Sequence, residues 1–245
     1  MIIKEHAFED IATPTGAMRV HLFAPAAPGR YPGIVLYSEI YQITEPVRRM
    51  AVFLAGQGFV VSAPEVYHEY EKPGTVLLYD KPGTDRGNDL KFEKTVAAYD
   101  SDARAALDHL KAHPACSGKL GAMGICLGGH LAFRAGTNPD VAATACFYAT
   151  DIHSGTLGHG DDSLARAGDI KGELLCIWGR QDPHIPLAGR RLIRDRLESV
   201  GANYTWHEFN AAHAFMRDEG PRYDPALAWH CYGLVTELFK RRLAG

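Results

Sequence analysis

Two short, almost entirely apolar segments restrict this chain to a small set of folds. The predicted strand Pro32–Tyr37 ends in GIVLY, and the predicted strand Phe59–Ala63 reads FVVSA. Strands with one face in water alternate apolar and polar residues, whereas strands buried on both faces read as continuous apolar runs. The two segments therefore favour a mostly parallel sheet that is covered by helices on both faces.

Strands and helices alternate along the rest of the sequence. Further predicted strands are Arg19–Phe23, Lys119–Ile125, Ala142–Tyr148, Glu173–Trp178 and Tyr204–Phe209. Apolar residues at helical spacing predict helices after an N-cap at Thr44, over Val96–Leu110, at about 127–137 and 187–200, and over Leu227–Leu238. Because no internal repeat or linker interrupts this alternation, we expect one α/β domain over residues 1–245.

Two segments fit neither the strand pattern nor the helix pattern. Tyr67–Asp89 and Thr150–Ala167 contain many Gly, Asp and His residues. Long loops at the carboxyl ends of parallel strands often bind ligands. The same composition is also typical of plain surface loops, so the sequence leaves both interpretations open.

The composition excludes several classes of protein. Lys and Arg number 26 against 29 Asp and Glu, which gives a formal net charge of −3. The chain therefore has no basic excess with which to neutralise nucleic-acid phosphates. Its apolar runs are far shorter than the roughly 20 residues that span a bilayer, and Met1–His6 lacks the apolar region of a signal peptide. We expect a cytoplasmic protein that binds neither nucleic acid nor membranes.

The five cysteines are odd in number and none are spaced C-x-x-C, which argues against a disulfide framework or a zinc ribbon. Cys146 and Cys176 lie in predicted strands and Cys231 on the apolar side of the last helix, so we expect these thiols in the core. Cys116 is expected in a loop that solvent can reach. Three histidines lack the tight spacing of metal ligands, so no metal site is predicted: His153, His159 and His184.

The stretch Gly121–Gly129 reads GAMGICLGG and joins a predicted strand to a predicted helix. It contains G-x-C-x-G, the nucleophile-elbow pattern of α/β-hydrolases with Cys126 in place of Ser. Such a turn strains the backbone of the nucleophile, and side chains at Gly124 and Gly128 would clash with it. The N-terminus of the following helix favours a thiolate. A buried, unreactive cysteine in a Gly-rich turn is the alternative interpretation.

A cysteine nucleophile needs a base, and the base needs a carboxylate that orients it. In this fold the chain order is nucleophile, acid, then His. Asp182 follows the predicted strand Glu173–Trp178, and His213 follows the predicted strand Tyr204–Phe209. The order and the positions after strands predict a Cys126, Asp182, His213 triad.

These motifs resemble those of the dienelactone hydrolase family, the carboxymethylenebutenolidases. The resemblance rests on Gly124–Gly129, on the turn Gly179–Pro186 and on Ala211–Phe215, and it extends from about Tyr31 to the last helix. It implies an α/β-hydrolase fold, and hydrolysis of an ester or lactone bond without a cofactor.

The resemblance also implies roles for residues near the nucleophile. Glu39, at the end of the strand Pro32–Tyr37, is implied to hold Cys126 as a thiol at rest and to accept its proton when substrate binds. Burial in a closed pocket would raise the pKa of such a carboxyl. The main-chain amides of Ile40 and Leu127 are expected to form the oxyanion hole. A solvent-exposed acid at the strand end is the alternative for Glu39.

Two arginines are implied to bind the carboxylate of an anionic lactone. Arg217 lies four residues after His213, and Arg86 lies in the region expected for a second substrate arginine. Either could instead be an ordinary surface arginine. Ala214 stands where family members commonly have Ser, and Thr150–Ala167 is longer than expected. Both departures concern the identity of the lactone rather than the chemistry.

The sequence thus predicts hydrolysis of a small-molecule lactone or ester by Cys126, with His213, oriented by Asp182, activating the water. We expect a monomer or a small homo-oligomer. One alternative is a broad carboxylesterase or thioesterase for neutral acyl substrates. Another is a non-catalytic relative in which Cys126 is oxidised rather than acylated.

Overall fold

The strands form a mostly parallel sheet. The computed structural model describes residues 1–4 and 7–243. Eight strands lie in the order β1-β2-β4-β3-β5-β6-β7-β8. The strands are β1 (Ala7–Thr13), β2 (Gly16–Phe23), β3 (Tyr31–Tyr37), β4 (Val60–Pro64), β5 (Cys116–Ile125), β6 (Val141–Phe147), β7 (Glu173–Gly179) and β8 (Tyr204–Phe209). Strands β1, β2 and β4 pair antiparallel, and all pairs from β4 to β8 are parallel.

Helices cover both faces of the sheet. They are α1 (Glu45–Gly56), α2 (Lys81–Glu93), α3 (Val96–Ala112), α4 (Leu127–Ala135), α5 (Leu187–Ser199) and α6 (Pro225–Leu243). Gly33 and Leu120 are register neighbours and share one face, where a Cβ on Gly33 would touch Leu110 of α3. Gly121 points to the other face, where a Cβ would touch Phe239 of α6. Within residues 1–4 and 7–243, no helix is both long enough and apolar enough to cross a membrane.

The predicted α/β class and mostly parallel sheet are confirmed. All seven predicted strands form, with bounds that shift by at most three residues. The sequence prediction missed β1, because this edge strand reads AFEDIAT and most of its residues are exposed. An edge strand in water needs no apolar alternation, so it gives no periodic signal.

The first unassigned segment contains a helix, α2, rather than a long loop. Asp80 begins it by accepting a 2.8 Å hydrogen bond from the Gly83 amide, with Pro82 in the first turn. Pro and Gly are typical of turns, and they concealed the helix in the sequence. Position 87 requires glycine because a Cβ there would lie 2.5 Å from the Ile40 carbonyl oxygen. Helix α2 therefore packs directly on the segment that follows β3.

The second unassigned segment is irregular but anchored to α4. It contains two short 3₁₀ helices, Leu157–His159 and Ala165–Asp169. Arg134 of α4 donates a 2.7 Å hydrogen bond to Ser163 Oγ, and His130 Nε2 lies 2.7 Å from the same atom. These contacts fix the segment beneath the turn that holds Cys126.

The expectation for Cys116 is wrong. Cys116 is the first residue of β5 and is fully buried, because the strand begins three residues earlier than predicted. Cys146, Cys176 and Cys231 are buried as predicted, and all five cysteines are free thiols.

Candidate active site

Cys126 lies in the sharp turn between β5 and α4. Its backbone has φ 58° and ψ −123°, which is strained for a residue with a side chain. Hydrogen bonds hold the turn: the Cys126 amide donates to the Phe147 carbonyl at 3.1 Å, and the Cys126 carbonyl accepts from the Gly129 amide at 3.0 Å. The thiol is thereby held at the N-terminus of α4, where backbone amides favour a thiolate.

The two flanking glycines are required by close backbone contacts. A Cβ on Gly124 would lie 1.9 Å from the Gly128 carbonyl oxygen. A Cβ on Gly128 would lie 2.2 Å from the Tyr37 carbonyl oxygen. These distances are far inside van der Waals contact, so the G-x-C-x-G spacing follows from the packing of α4 on β5 and β3.

Asp182 and His213 lie at the same edge of the sheet as Cys126, after β7 and β8. His213 Nδ1 lies 2.6 Å from Asp182 Oδ2. The other oxygen of Asp182 accepts a 2.8 Å hydrogen bond from the His184 amide, which fixes the carboxylate. Both side chains are buried. This arrangement orients the imidazole and leaves Nε2 available for the nucleophile.

Nearby negative charge stabilises the protonated form of His213. Burial by itself lowers the pKa of His213, but when Cys126 is a thiolate, its charge and the hydrogen bond to Asp182 outweigh burial and raise the pKa to about 10. A thiolate on Cys126 and a protonated His213 therefore stabilise each other. The structure brings together all three residues of the sequence-predicted triad.

The N–H groups of Ile40 and Leu127 are available to donate hydrogen bonds, as an oxyanion hole requires. Leu127 follows Cys126 at the start of α4, and Ile40 follows β3, on which the start of α4 packs. Among the described residues, neither amide donates to a protein acceptor. Both can therefore donate to an oxygen bound near Cys126.

These groups open into one cleft with a volume of about 360 Å³. Its lining is strongly polar and contains three cationic side chains. The lining residues are Glu39, Ile40, Tyr41, Tyr79, Thr84, Asn88, Lys91, Cys126, Thr150, Asp151, His184, His213, Arg217 and Arg222. A cleft of this size holds a small molecule that can accept several hydrogen bonds.

Glu39 and Arg217 form a buried charged pair in this cleft. Glu39 is 2% exposed, and its Oε2 lies 3.6 Å from the Arg217 guanidinium. Burial raises the pKa of Glu39, and the positive charge of Arg217 offsets part of that rise. Arg217 also stacks on the Tyr79 ring, 4.2 Å from its centroid. Glu39 and Arg217, which the sequence analysis assigned to the site, therefore both lie in the cleft.

A sequence model of the dienelactone hydrolase family matches residues 18–243. The chain belongs to the dienelactone hydrolase family. The predicted α/β-hydrolase fold is confirmed, and membership of this family makes the chain a hydrolase of ester or lactone bonds.

Named relatives cover nearly the whole of this dienelactone hydrolase family member. A Saccharomyces cerevisiae protein named "Putative carboxymethylenebutenolidase" is 43% identical over 99% of this chain and 93% of its own length. The "Carboxymethylenebutenolidase" of Pseudomonas sp. strain P51 is 26% identical over 92% of this chain and 91% of its own. A crystal structure named "Putative Dienelactone Hydrolase", from Klebsiella pneumoniae, has a TM-score of 0.86 at 21% identity and covers 98% of this chain and all of its own.

Arg86, predicted to bind substrate, is absent from the lining of the cleft. Its side chain is 43% exposed, and it pairs with Glu71 at 2.7 Å on the outer side of α2. Because α2 was not recognised as a helix, the side to which position 86 points could not be assigned from the sequence.

Sequence reasoning missed other polar residues of the cleft, chiefly Lys91, Asp151 and Arg222. Lys91 Nζ lies 2.8 Å from Asp151 Oδ2, and both side chains are largely buried. Spacing is the one sequence feature that points to Lys91. Thr84, Asn88 and Lys91 recur at intervals of four and three residues, which places them on one face of α2. This spacing can be interpreted only once the segment is known to be a helix.

Two clusters of the described residues have the composition of metal ligands. Asp182, His184 and His213 form one, but Asp182 and His213 already bond to each other. His68, Glu69 and Asp102 form the other, and the Lys94 ammonium lies among them, 2.7 Å from Asp102. The lysine already supplies the positive charge that this second cluster needs. Of His153, His159 and His184, only His184 belongs to either of these two clusters.

The elbow contacts predict the effect of one added methyl group. Gly124→Ala is expected to destabilise the fold by roughly 1–3 kcal/mol or more, because its Cβ would overlap the Gly128 carbonyl, and to abolish most p-nitrophenyl acetate hydrolysis. Gly56→Ala in α1 is the matched control: nothing lies within 4 Å of its Cβ, so stability should be unchanged or rise by about 0.5–1 kcal/mol. Urea unfolding and ester turnover measure both variants, and equal behaviour of the two would contradict the contact.

Proposed function

We propose that this protein hydrolyses a carboxylated lactone or ester through a thioester on Cys126. The observation that most directly supports this is the convergence of three groups at one sheet edge. Cys126 has the strained backbone of a nucleophile elbow, His213 lies where a thiolate on Cys126 would raise its pKa, and Asp182 orients the imidazole. Nucleophile, base and orienting acid are the parts that covalent hydrolysis needs.

In the first half-reaction the Cys126 thiolate attacks the carbonyl carbon and forms a C–S bond. The carbonyl electron pair moves onto oxygen, where the Ile40 and Leu127 amides stabilise it. When that pair returns, the bond to the leaving oxygen breaks, and the His213 imidazolium gives its proton to that oxygen. The result is a thioester and, for a lactone, a hydroxyl group on the same molecule.

In the second half-reaction water cleaves the thioester. Acylation removes the charge from Cys126, so the largest contribution that raises the pKa of His213 disappears. A neutral imidazole can then take a proton from water as the water oxygen attacks the carbonyl carbon. The C–S bond breaks, the carboxylic acid leaves, and the proton returns from His213 to Cys126.

Glu39 and Arg217 connect substrate binding to activation of the thiol. Arg217 holds down the pKa of Glu39, which burial has raised. A substrate carboxylate that binds Arg217 competes for this positive charge and so increases the basicity of Glu39. Glu39 then accepts the Cys126 proton and passes it to His213. The relatives' name, carboxymethylenebutenolidase, denotes a lactone that has a carboxylate.

The proposal predicts which thiol is acylated. Cys126 is 9% exposed and the other four cysteines are at most 1% exposed, so limiting iodoacetamide should label Cys126 first and stop turnover. Rapid quench of p-nitrophenyl acetate turnover should give an acylated protein whose adduct maps to Cys126 by mass spectrometry.

Two variants complete this test. Cys126→Ala should lose on the order of 10⁴-fold or more in kcat. Cys116→Ala, at the first residue of the strand that ends just before Cys126, should keep activity within about threefold, since it touches none of the reacting groups. Turnover that survives Cys126→Ala would refute the covalent route.

Glu39→Gln keeps the shape of the side chain but cannot accept a proton. Loss of a general base typically costs about 10²–10⁴-fold, so single-turnover acylation by a butenolide carboxylate should slow by that factor. Hydrolysis of the thioester, which His213 assists, should change little. Glu45→Gln, an exposed carboxylate next in sequence, is the control. Acylation within about threefold of wild type would leave Glu39 without a catalytic role.

Arg217→Ala should discriminate between substrates. A guanidinium binds a carboxylate with two charge-assisted hydrogen bonds. Loss of the equivalent of one such bond costs about 1.5–3 kcal/mol, so kcat/KM for a carboxylated lactone should fall about 10–150-fold. A neutral ester should lose much less, and Arg217→Lys should recover only part of the loss. Equal losses on both substrates would indicate a structural role for Arg217.

A further inference from the structure

One wall of the active-site cleft is formed by a polar face of α2. Thr84, Asn88 and Lys91 line the cleft and follow one another at intervals of four and three residues. This spacing places them in a row on one side of the helix. At about 1.5 Å rise per residue, the row extends for roughly 10 Å. The wall therefore contacts a substrate along its length rather than at one point.

The Thr84 end of this row adjoins the arginine that is proposed to bind a carboxylate. Thr84 Oγ1 and the Tyr41 hydroxyl are 2.9 Å apart. The Arg217 guanidinium lies over the rings of Tyr41 and Tyr79, 5.9 and 4.2 Å from their centroids. The row of α2 residues therefore begins beside Arg217 and leads along the cleft toward Lys91.

The far end of the row is an ion pair with unused hydrogen-bonding capacity. Lys91 Nζ donates to Asp151 Oδ2 at 2.8 Å, and Lys91 is 8% exposed. Asp151 follows β6 with a left-handed backbone, φ 66°, which holds its carboxylate toward the cleft. Burial raises the pKa of Asp151, but the Lys91 ammonium outweighs this and keeps it below its usual value. The ammonium of Lys91 and the carboxylate of Asp151 therefore form an ion pair with no net charge.

Asn88 lies between the two ends and has no protein partner. Its side chain is half-buried in the cleft, and it forms no hydrogen bond with any residue in 1–4 or 7–243. A carboxamide both donates and accepts. Two N–H groups of Lys91 likewise have no protein acceptor in the described part of the chain. Donors and acceptors are thus both available on adjacent turns of α2, where side chains three residues apart are neighbours.

We propose that Asn88, Lys91 and Asp151 bind a hydroxyl group of the substrate, at the end of the cleft opposite to Arg217. A hydroxyl donates and accepts at once, so it matches a carboxamide beside an ion pair. A methyl group at that place leaves these groups unpaired, and a second carboxylate is repelled by Asp151. The inference rests on the proposed function, and it adds the substrate class: a hydroxylated acyl chain or lactone.

The test compares two p-nitrophenyl esters of equal length over a series of chain lengths. One has a terminal hydroxyl, and in the other a methyl group replaces that hydroxyl. At the length that reaches the pair, wild type should prefer the hydroxylated ester by about 10–100-fold in kcat/KM, which corresponds to about one hydrogen bond to a charged group. A ratio near one at every chain length overturns the inference.

Asn88→Leu is the first variant, because it keeps the size of the side chain and improves helix propensity. It should reduce the hydroxyl preference to within about threefold of one, and the double variant Lys91→Gln/Asp151→Asn should do the same without leaving a charge unpaired. Asp89→Ala, exposed on the outer side of α2, is the control and should keep the wild-type ratio. An unchanged ratio in both cleft variants overturns the inference.

A binding measurement separates this inference from the proposed function. Calorimetry with Cys126→Ala protein should find that the ω-hydroxy acid binds at least about 10-fold tighter than the isosteric fatty acid, and that Asn88→Leu removes the difference. Equal Kd values overturn the hydroxyl site whatever the catalytic result. Ester turnover by Cys126→Ala protein overturns the covalent mechanism and leaves the binding comparison intact.

Discussion

The close approach of α4 to the end of β3 is the contact on which the active site depends. Gly128 lies so near the Tyr37 carbonyl that any side chain would overlap it, and this brings the Leu127 amide beside the segment that contains Glu39 and Ile40. Two amides from different elements can face one oxyanion only at such short backbone separations. That approach requires the strained backbone of Cys126, which is stabilised by the hydrogen bond from its amide to the Phe147 carbonyl and by the one that its carbonyl accepts from the Gly129 amide.

Charge in the cleft is stabilised by neighbouring charge rather than by water. Glu39, Arg217 and His213 are each at most 8% exposed, so the protonation state of one depends on the others. Burial raises the pKa of Glu39 and Arg217 offsets part of that rise, while a thiolate on Cys126 and the hydrogen bond to Asp182 raise the pKa of His213. An anion entering such a site changes this balance before any bond is broken. In the proposed mechanism, substrate binding and deprotonation of Cys126 are coupled for that reason.

The sequence predicted the features that arise from local geometry and missed those that arise from tertiary packing. G-x-C-x-G is predictable because only glycine fits at Gly124 and Gly128. Asp182 and His213 are predictable because each follows a parallel strand, and the carboxyl ends of parallel strands meet at one edge of the sheet. Helix α2 was missed because its apolar residues are few and Pro82, Gly83 and Gly87 are typical of turns. Without the helix, neither the outward position of Arg86 nor the inward position of Lys91 could be inferred.

Helix α2 has few apolar side chains, which concealed it in the sequence. The same feature suits it to the role in substrate specificity that is proposed above. Gly87 allows the helix backbone to lie against the Ile40 carbonyl, and the Tyr67 hydroxyl donates to the Gly87 carbonyl at 3.0 Å. The helix is thus positioned largely through its backbone, with few buried apolar side chains. The cleft side of the helix is formed by the polar residues Thr84, Asn88 and Lys91, so its polarity can match a ligand. In the proposed mechanism, a rigid elbow and triad thus face a polar wall that belongs to a separate helix, which allows one chemistry to serve different substrates.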